Sequence, residues 1–503
     1  MGTLQKSVCW RLSVPVFFTA FLFFLDVFTV HGYSCAKATE NSHRSLSQKL
    51  LVENASAAPV LRGSAAACSS GDVVLGSGLV YGQTLYMTGL LIGSVVSGVI
   101  SDRYGKRVLL LGCSCLHAVV ALLTAFLPFT PFYLAARCIT GLSCSGINMS
   151  SMSLGVEWSQ PKYRTWPPTL LSFIFSLGMM GLAVVAYLTH GWMQFHLVLA
   201  LPQILCMPLY FNIPESPRWL LLNKRMDTLE KYRSRSPEDR ECLDQLLDTL
   251  ETDLEMSKVE KPQCKHTSDF THLKSPIIVM RVCIMGYIGM ASALTYFGIS
   301  FSVGHFGLNI YLVQFFSGLS ESPSLLLPFL LARCGRRPFT MVSLMASGTA
   351  SLMSLLMSKF CDLPLLVVTL ALVGKLCMQS TTCVSLLYGI ELFPTVIRQK
   401  CIGLVNLWFR IGSIINAVVA PTGEIPLPAM ICYSSAPILG TWLCLLLPET
   451  SGVPLPDSVL DCQKQPRLSM QCLPCSRTHG HLHTEQGERQ ITEGGRDMAG
   501  YES

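Results

Sequence analysis

The sequence predicts an all-α membrane protein of twelve transmembrane helices, arranged as two six-helix pseudo-symmetric halves. Three observations carry that prediction. Half of the 503 residues are hydrophobic, mean hydropathy is +0.45 and only 14% are Asp, Glu, Lys or Arg, against roughly 25% charged residues in soluble domains. Twelve apolar stretches have the length of a membrane span. Finally, loop markers in the first half recur in the second at a nearly constant offset.

A helix needs about 20 predominantly apolar residues to cross a bilayer. Such stretches lie near 12–32, 78–100, 108–127, 132–154, 166–189 and 195–213, then near 276–298, 310–331, 338–357, 364–390, 400–420 and 429–447. The links between them divide by charge. Alternate links carry Arg103, Lys106 and Arg107, then Lys162 and Arg164, then Arg333, Arg336 and Arg337, then Arg398 and Lys400, whereas 128–131, 190–194 and 299–309 hold no Lys or Arg. Short basic loops stay on the cytoplasmic side, so both termini are expected in the cytoplasm. The net charge of +6 is then a topology signal, the expected environment is a lipid bilayer, and no nucleic-acid partner is implied. Lys6 and Arg11 ahead of the first apolar run, with Ala36-Lys37-Ala38 after it, also fit a cleaved signal peptide. Cleavage would leave five helices against six, an asymmetry that the repeat argues against.

The repeat has three markers. Arg103, Gly105, Lys106 and Arg107 in "DRYGKR" recur as Arg333, Gly335, Arg336 and Arg337 in "ARCGRR", 230 residues on. Glu157 and Arg164 in "GVEWSQPKYR" recur as Glu391 and Arg398 in "GIELFPTVIR", 234 on, and Pro214-Glu215 recurs as Pro448-Glu449, again 234 on. Three markers in one order indicate duplicated halves. They divide the chain into a first half at 1–213, a cytoplasmic linker at 214–275, a second half at 276–447 and a polar tail at 448–503 that is expected to be disordered. In the linker, Leu243, Leu246, Leu247, Leu250 and Leu254 fall at helical spacing.

Asp102 has no counterpart in the second half, where Ala332 stands. A carboxylate there is expected to meet a helix terminus near residue 400, whose free N–H groups favour negative charge. That contact would close the cytoplasmic side, with Arg103, Gly105, Arg107, Glu157, Arg164, Glu391 and Arg398 as further gating elements. The basic members of this set also have a plainer reading as topology signals alone.

The first extracellular loop, 33–77, holds the glycosylation acceptor Asn54-Ala55-Ser56. Asn148-Met149-Ser150 also fits that pattern but lies inside a span. Cys35 and Cys68 flank the loop in an oxidising compartment, where a disulfide is expected. In the tail, Cys472, Cys475, His479, His481 and His483 form a short cluster without a second half-site, so no metal or other cofactor is expected.

Ionisable groups inside spans are costly and tend to be functional. Asp26, Glu321, Lys375 and Arg410 are such groups. Arg410, mid-span in "NLWFRIGSIINAVVAP", is too deep to reach water readily, and Lys375 is similarly deep on the neighbouring span. Two cations in the second half suggest a pocket for an organic anion; the rival reading is internal pairing with Glu321 or Asp26.

A family resemblance adds to these readings. Gly98-x3-Asp102-Arg103-x-Gly105-Lys106-Arg107 resembles the loop signature of the major facilitator superfamily. "PESPRWLL" (214–221), "HFGLNIYL" (305–312), "ELFPTVIRQ" (391–399) and "LPETSGVPLPD" (447–457) resemble its organic ion transporter family, whose members carry anions, cations and zwitterions. The resemblance runs from about 78 to 457. It implies the major facilitator fold, alternating access around a mid-membrane site between the halves and residence in the plasma membrane. An Arg at the position of Arg410 implies the organic anion branch, hence a small organic anion substrate and a dicarboxylate as counter-exchanged partner. Tyr187, Tyr296 and Phe297 match aromatic positions of the family's pocket, where rings wall the apolar part of a ligand; each also has a plain reading as a packing residue. Two departures stand out: a short first extracellular loop, and Leu325 where anion carriers often have Lys. Alternatives in view are a cation or zwitterion carrier and a non-transporting membrane receptor on the same fold. No nucleotide-binding loop or nucleophile–base constellation appears, so neither primary active transport nor enzyme activity is expected.

Overall fold

The computed structural model describes residues 3–29, 77–159, 166–189, 191–223, 225–233, 240, 243, 244, 247, 275–302, 309–360, 363–394, 397–419 and 427–450. In the first half, α1 is Thr3–Phe23, α2 Gly82–Tyr104, α3 Lys106–Phe126, α4 Thr130–Glu157, α5 Trp166–Leu188 and α6 Trp192–Leu205, continued by α7, Met207–Phe211. Two short helices follow, α8 at Pro217–Leu222 and α9 at Met226–Arg233. The second half comprises α10 Pro276–Ser302, α11 Ile310–Glu321, α12 Leu327–Cys334, α13 Arg336–Phe360, α14 Pro364–Leu392, α15 Arg398–Val419 and α16 Leu427–Cys444. With α6–α7 and α11–α12 each taken as one pass, six passes fall in each half.

Nine of the described helices are long and apolar enough to cross a membrane on composition alone. Two of the three passes outside that set have local reasons. The α4 helix is rich in Ser, Gly, Thr and Cys and buries Arg137, because it packs between α2 and α3. The eighth pass is interrupted by a 3-10 turn at Ser322–Leu326, where Pro323 lacks the N–H that would continue the helix. The expected start of the first span at residue 12 is corrected: α1 begins at Thr3. Hydropathy excludes Lys6 and Arg11, yet Arg11 stays on the helix by donating to the Asn212 carbonyl at 2.5 Å.

The two halves pack by one scheme. In the first, α2 lies on α4, α3 on α4 and α6, and α1 on α5; in the second, α11 lies on α14, α13 on α14 and α16, and α10 on α15. Across the halves, α5 packs on α11 and α2 on α15. A single hydrophobic cluster runs through this junction, from Phe21, Phe24 and Met179 to Ile288, Tyr296 and Tyr388.

The repeated loop markers are clamps at helix starts. Gly105 and Gly335 hold φ of +96° and +77°, a region that glycine enters without steric cost. Each glycine precedes a helix whose first N–H groups have no partner within the helix, and a carboxylate supplies one. Glu215 accepts from the Lys106 and Arg107 amides at 3.0 and 3.1 Å; Glu449 accepts from the Arg336 and Arg337 amides at 3.1 and 3.0 Å. Arg107 donates to the Phe211 carbonyl at 2.8 Å and Arg337 to the Leu445 carbonyl at 2.7 Å. Lys106 pairs with Glu157, as Arg336 does with Glu391 at 2.9 Å. Ser216 donates to Glu157 and Thr450 to Glu391.

These contacts tie elements within one half, so the described partners of Gly105, Arg107, Glu157 and Glu391 do not cross between halves. Arg103 is exposed, its guanidinium 5.4 Å from the Tyr104 ring. The side chains of Asp102 and Arg398, and Arg164 altogether, lie outside the described residues, as do Asn54, Cys35, Cys68 and the tail beyond residue 450. In the linker, Leu243 is buried against the first half with Leu247 beside it, and Arg233 pairs with Asp244 at 2.9 Å.

Candidate functional site

Asp26 follows a bend of the first pass at Phe24. Its Oδ2 accepts from Arg137 Nε and Nη2 at 3.0 and 2.6 Å, and its Oδ1 from the Tyr133 hydroxyl at 2.5 Å. Arg137 also donates to the Leu22 carbonyl at 2.7 Å and lies 4.3 Å from the Tyr86 ring centroid. Both charged groups are buried. A buried ion is tolerated when it is paired and its remaining sites are hydrogen-bonded, and this one is.

The second half holds another buried pair. Lys375 on α14 lies 2.9 Å from Glu321 at the end of α11, and neither side chain has any exposure. The Tyr296 hydroxyl donates to Glu321 Oε1 at 2.7 Å, and Lys375 also donates to the Ser317 hydroxyl. The first half reaches into this pair. Ser176 on α5 places its hydroxyl 3.3 Å from Glu321 Oε2, and the Phe24 ring centroid is 5.7 Å from the Lys375 ammonium.

Arg410 is different. Asp26 and Glu321, the carboxylates that the sequence offers as partners, are engaged by Arg137 and Lys375, and Arg410 has no carboxylate partner among the described residues. Half-buried on α15, its guanidinium lies 6.0 Å from the Phe409 ring centroid and within electrostatic reach of Tyr86 and Cys144 in the opposite half. Aromatic rings continue across the junction: Phe409 to Phe297 at 6.3 Å, and Phe297 to Phe23 at 6.1 Å and nearly parallel. Phe409 also borders a small, partly open pocket between α10, α14 and α15.

At the end of the bundle away from the basic loops, the halves are joined by stacked Phe28 and Tyr311, by Tyr187 against Tyr311, and by the Thr84 hydroxyl donating to the Ala417 carbonyl at 2.8 Å. The pocket lies toward the basic-loop end, along the stretch of α14 and α15 nearest their 392–398 connection.

Comparison with known proteins fits this architecture. Organic anion transporter 3 of Oryctolagus cuniculus is 33% identical over 391 residues, spanning 76% of this chain and 71% of that protein. Solute carrier family 22 member 13 of Homo sapiens is 33% identical over 389 residues, spanning 76% and 69%. A family profile described as the Major Facilitator Superfamily matches residues 74–417. The chain belongs to the solute carrier 22 family of the major facilitator superfamily. It is a multi-pass membrane transporter. Among solved structures, the proton:xylose symporter XylE bound to 6-bromo-6-deoxy-D-glucose aligns with a TM-score of 0.64 at 15% identity, over 90% of this chain and 98% of that one. The inward open xylose transporter XylE from E. coli aligns at 0.60 with 16% identity over the same 90%. That likeness carries the fold alone.

Within the transporter, the sequence-derived site residues sort by position. Tyr296, Phe297, Glu321 and Lys375 lie together at the junction, with Arg410 linked to them through the Phe297–Phe409 ring contact. Asp26 belongs to the separate pair with Arg137. Tyr187 is set apart: it is 63% exposed, about three turns beyond Ser176 on α5. Sequence reasoning missed Phe24, Ser176 and Ser317 around the Lys375 pair and the role of Arg137 as Asp26's partner. One signal was available for Ser176, which lies 234 residues before Arg410, the same offset as the loop markers.

Proposed function

We propose that the transporter carries small organic anions across the plasma membrane by alternating access, without covalent chemistry, and that Arg410 coordinates the anion. One observation carries the reading: Arg410 is an intramembrane cation without a carboxylate partner among the described residues, whereas Arg137 and Lys375 are each paired with one. A charge at the centre of a membrane helix costs roughly 2.5 kcal/mol or more on insertion scales, and a bound carboxylate would offset that cost. Tyr296, Phe297 and Phe409 supply apolar walls. Lys375 and Glu321 form the wall as a neutral pair, and the name of the organic anion transporter 3 relative at 33% identity points the same way.

The basic-loop end is cytoplasmic in this reading, with both termini there, and the closed aromatic end is extracellular, which makes the arrangement inward-facing. Asn54 carries a glycan and Cys35 bonds Cys68 outside. Asp102, Arg103, Gly105, Arg107, Glu157, Arg164, Glu391 and Arg398 form a cytoplasmic layer that rearranges as the halves rock. Its clamps keep each half rigid. The further partner is the lipid bilayer, and the preloading arm of the test below examines the counter-exchanged dicarboxylate that the resemblance implies.

The test is uptake of labelled organic anions and cations into cells expressing the chain, with and without preloaded dicarboxylate. Anion uptake is expected in the wild type, lost in Arg410→Ala and retained only weakly in Arg410→Lys, because an ammonium cannot reproduce two parallel guanidinium hydrogen bonds to a carboxylate. Uptake of cations with no anion uptake would overturn the reading.

A further inference from the structure

Asp26, Arg137, Glu321, Lys375 and Arg410 are deep charges of the described helices, and four of them cancel in pairs; Arg281, buried near the basic-loop end of α10, donates to the Leu392 carbonyl at 3.0 Å. Asp26 neutralises Arg137, Glu321 neutralises Lys375, and Arg410 remains. Lys375 is not a reserve cation for a second anionic group. Its ammonium is fully buried and enclosed by Glu321, the Ser317 hydroxyl, the Tyr296 ring at 5.0 Å and the Phe24 ring at 5.7 Å. To meet a substrate it would have to abandon a buried carboxylate, and an uncompensated buried charge is strongly unfavourable.

A second observation comes from the pocket beside Arg410. None of its eleven lining residues is charged. Ser292, Thr382, Ser385 and Asn406 offer hydroxyl and amide groups, and Phe393 and Phe409 offer rings. Such walls satisfy esters, amides, hydroxyls and apolar groups but leave a carboxylate desolvated and without a counter-charge. The Phe409 ring joins this pocket to the guanidinium.

We infer that the transporter selects anions with a single negative charge on an uncharged, partly apolar body, and discriminates against dicarboxylates. The inference rests on Arg410 being the anion-coordinating group. It also argues against a dicarboxylate as the counter-exchanged partner, since both directions of exchange use one site.

The test uses matched probes that differ in one charge: labelled monomethyl phthalate and unlabelled phthalate, with a small panel of similar half-ester and diacid pairs, on surface-expressed full chain. Half-ester uptake with the diacid competing about tenfold or more weakly is expected, tenfold being one decade of affinity. Diacids competing as well as half-esters would overturn the single-charge inference while leaving the anion reading intact. A chain that takes up no member of the panel would overturn the anion reading, and the inference with it. Glu321→Gln provides the converse: it leaves Lys375 uncompensated, and discrimination between half-ester and diacid should narrow by several-fold. Should that variant fail to reach the surface, Glu321→Gln with Lys375→Met restores a single net charge and should keep the wild-type preference. Unchanged discrimination in surface-expressed Glu321→Gln, or loss of discrimination in the double variant, would contradict the proposal.

Discussion

The two halves share a packing scheme yet treat charge differently. In the first, the intramembrane cation on α4, Arg137, is matched by Asp26, and the pair is held by Tyr133 and Leu22. In the second, the equivalent helix α14 supplies Lys375, matched by Glu321, and α15 adds Arg410 with no carboxylate facing it among the described residues. The repeat sharpens the contrast. The residue 234 positions before Arg410 is Ser176 on α5, and Ser176 faces Glu321 across the α5–α11 junction. Across the related α2–α15 junction, Arg410 instead has Tyr86 and Cys144 within reach. One crossing therefore sets a hydroxyl against a carboxylate, and the other sets a cation against neutral groups. Duplication fixes the scaffold, and departure from symmetry sets Arg410 apart.

The largest effect is expected where a buried pair is broken. Arg137→Ala leaves Asp26 charged and buried, a change that costs about 3–5 kcal/mol in comparable pairs. Surface biotinylation should find little of the protein, and Asp26→Leu combined with Arg137→Met should recover much of it. Recovery by the double variant would mark the first-half pair as structural.

A smaller effect is expected at the crossing of α5 and α11. A Cβ added at Gly318 would stand 2.9 Å from the Ser176 carbonyl oxygen and 2.7 Å from Met180 Cγ, so the helices meet there because the position is glycine. Gly318→Val should cost about 1–3 kcal/mol, as overpacking generally does, read as a lower unfolding temperature in detergent together with slower transport. Unchanged values would mean that the crossing is looser than these distances.

The clamps should respond equally in both halves. Glu215→Gln and Glu449→Gln each weaken a helix start, and loss of a cap is worth about 0.5–2 kcal/mol; the two thermal shifts should agree. The smallest changes are expected for Lys106→Met and Arg336→Met. Their partners Glu157 and Glu391 are partly solvent-accessible, and exposed ion pairs contribute about 0–1 kcal/mol. A large effect at one of these positions and not at its repeat would break the equivalence and point to a gating role there.

Much of the scaffold was legible because span length, charge alternation and a constant offset are properties of the chain alone. The break after Glu321 was missed although Pro323 announces it, since an apolar count does not register a missing N–H. Glu321 and Asp26 were in view as partners for the deep cations, but which cation each would meet was beyond reach for another reason. Asp26 and Arg137 are 111 residues apart, and helical periodicity identifies a face without saying which helix will meet it. The sequence did isolate Arg410 by depth, but only the engagement of Asp26 and Glu321 elsewhere separates it from Lys375. Glu215 and Glu449 were visible as a repeat and not as caps, because capping depends on the chain folding back onto the first turns of α3 and α13. Tyr187 matched a pocket position by resemblance, yet its place near the end of α5 puts it against Tyr311.

The contrast between a paired and an unpaired arginine can be measured side by side. Surface abundance and uptake of a labelled organic anion would be scored together for Arg137→Ala and Arg410→Ala. The account predicts that Arg137→Ala loses surface protein, whereas Arg410→Ala reaches the surface at near wild-type abundance and loses anion uptake. Normal anion uptake by surface-expressed Arg410→Ala would contradict it.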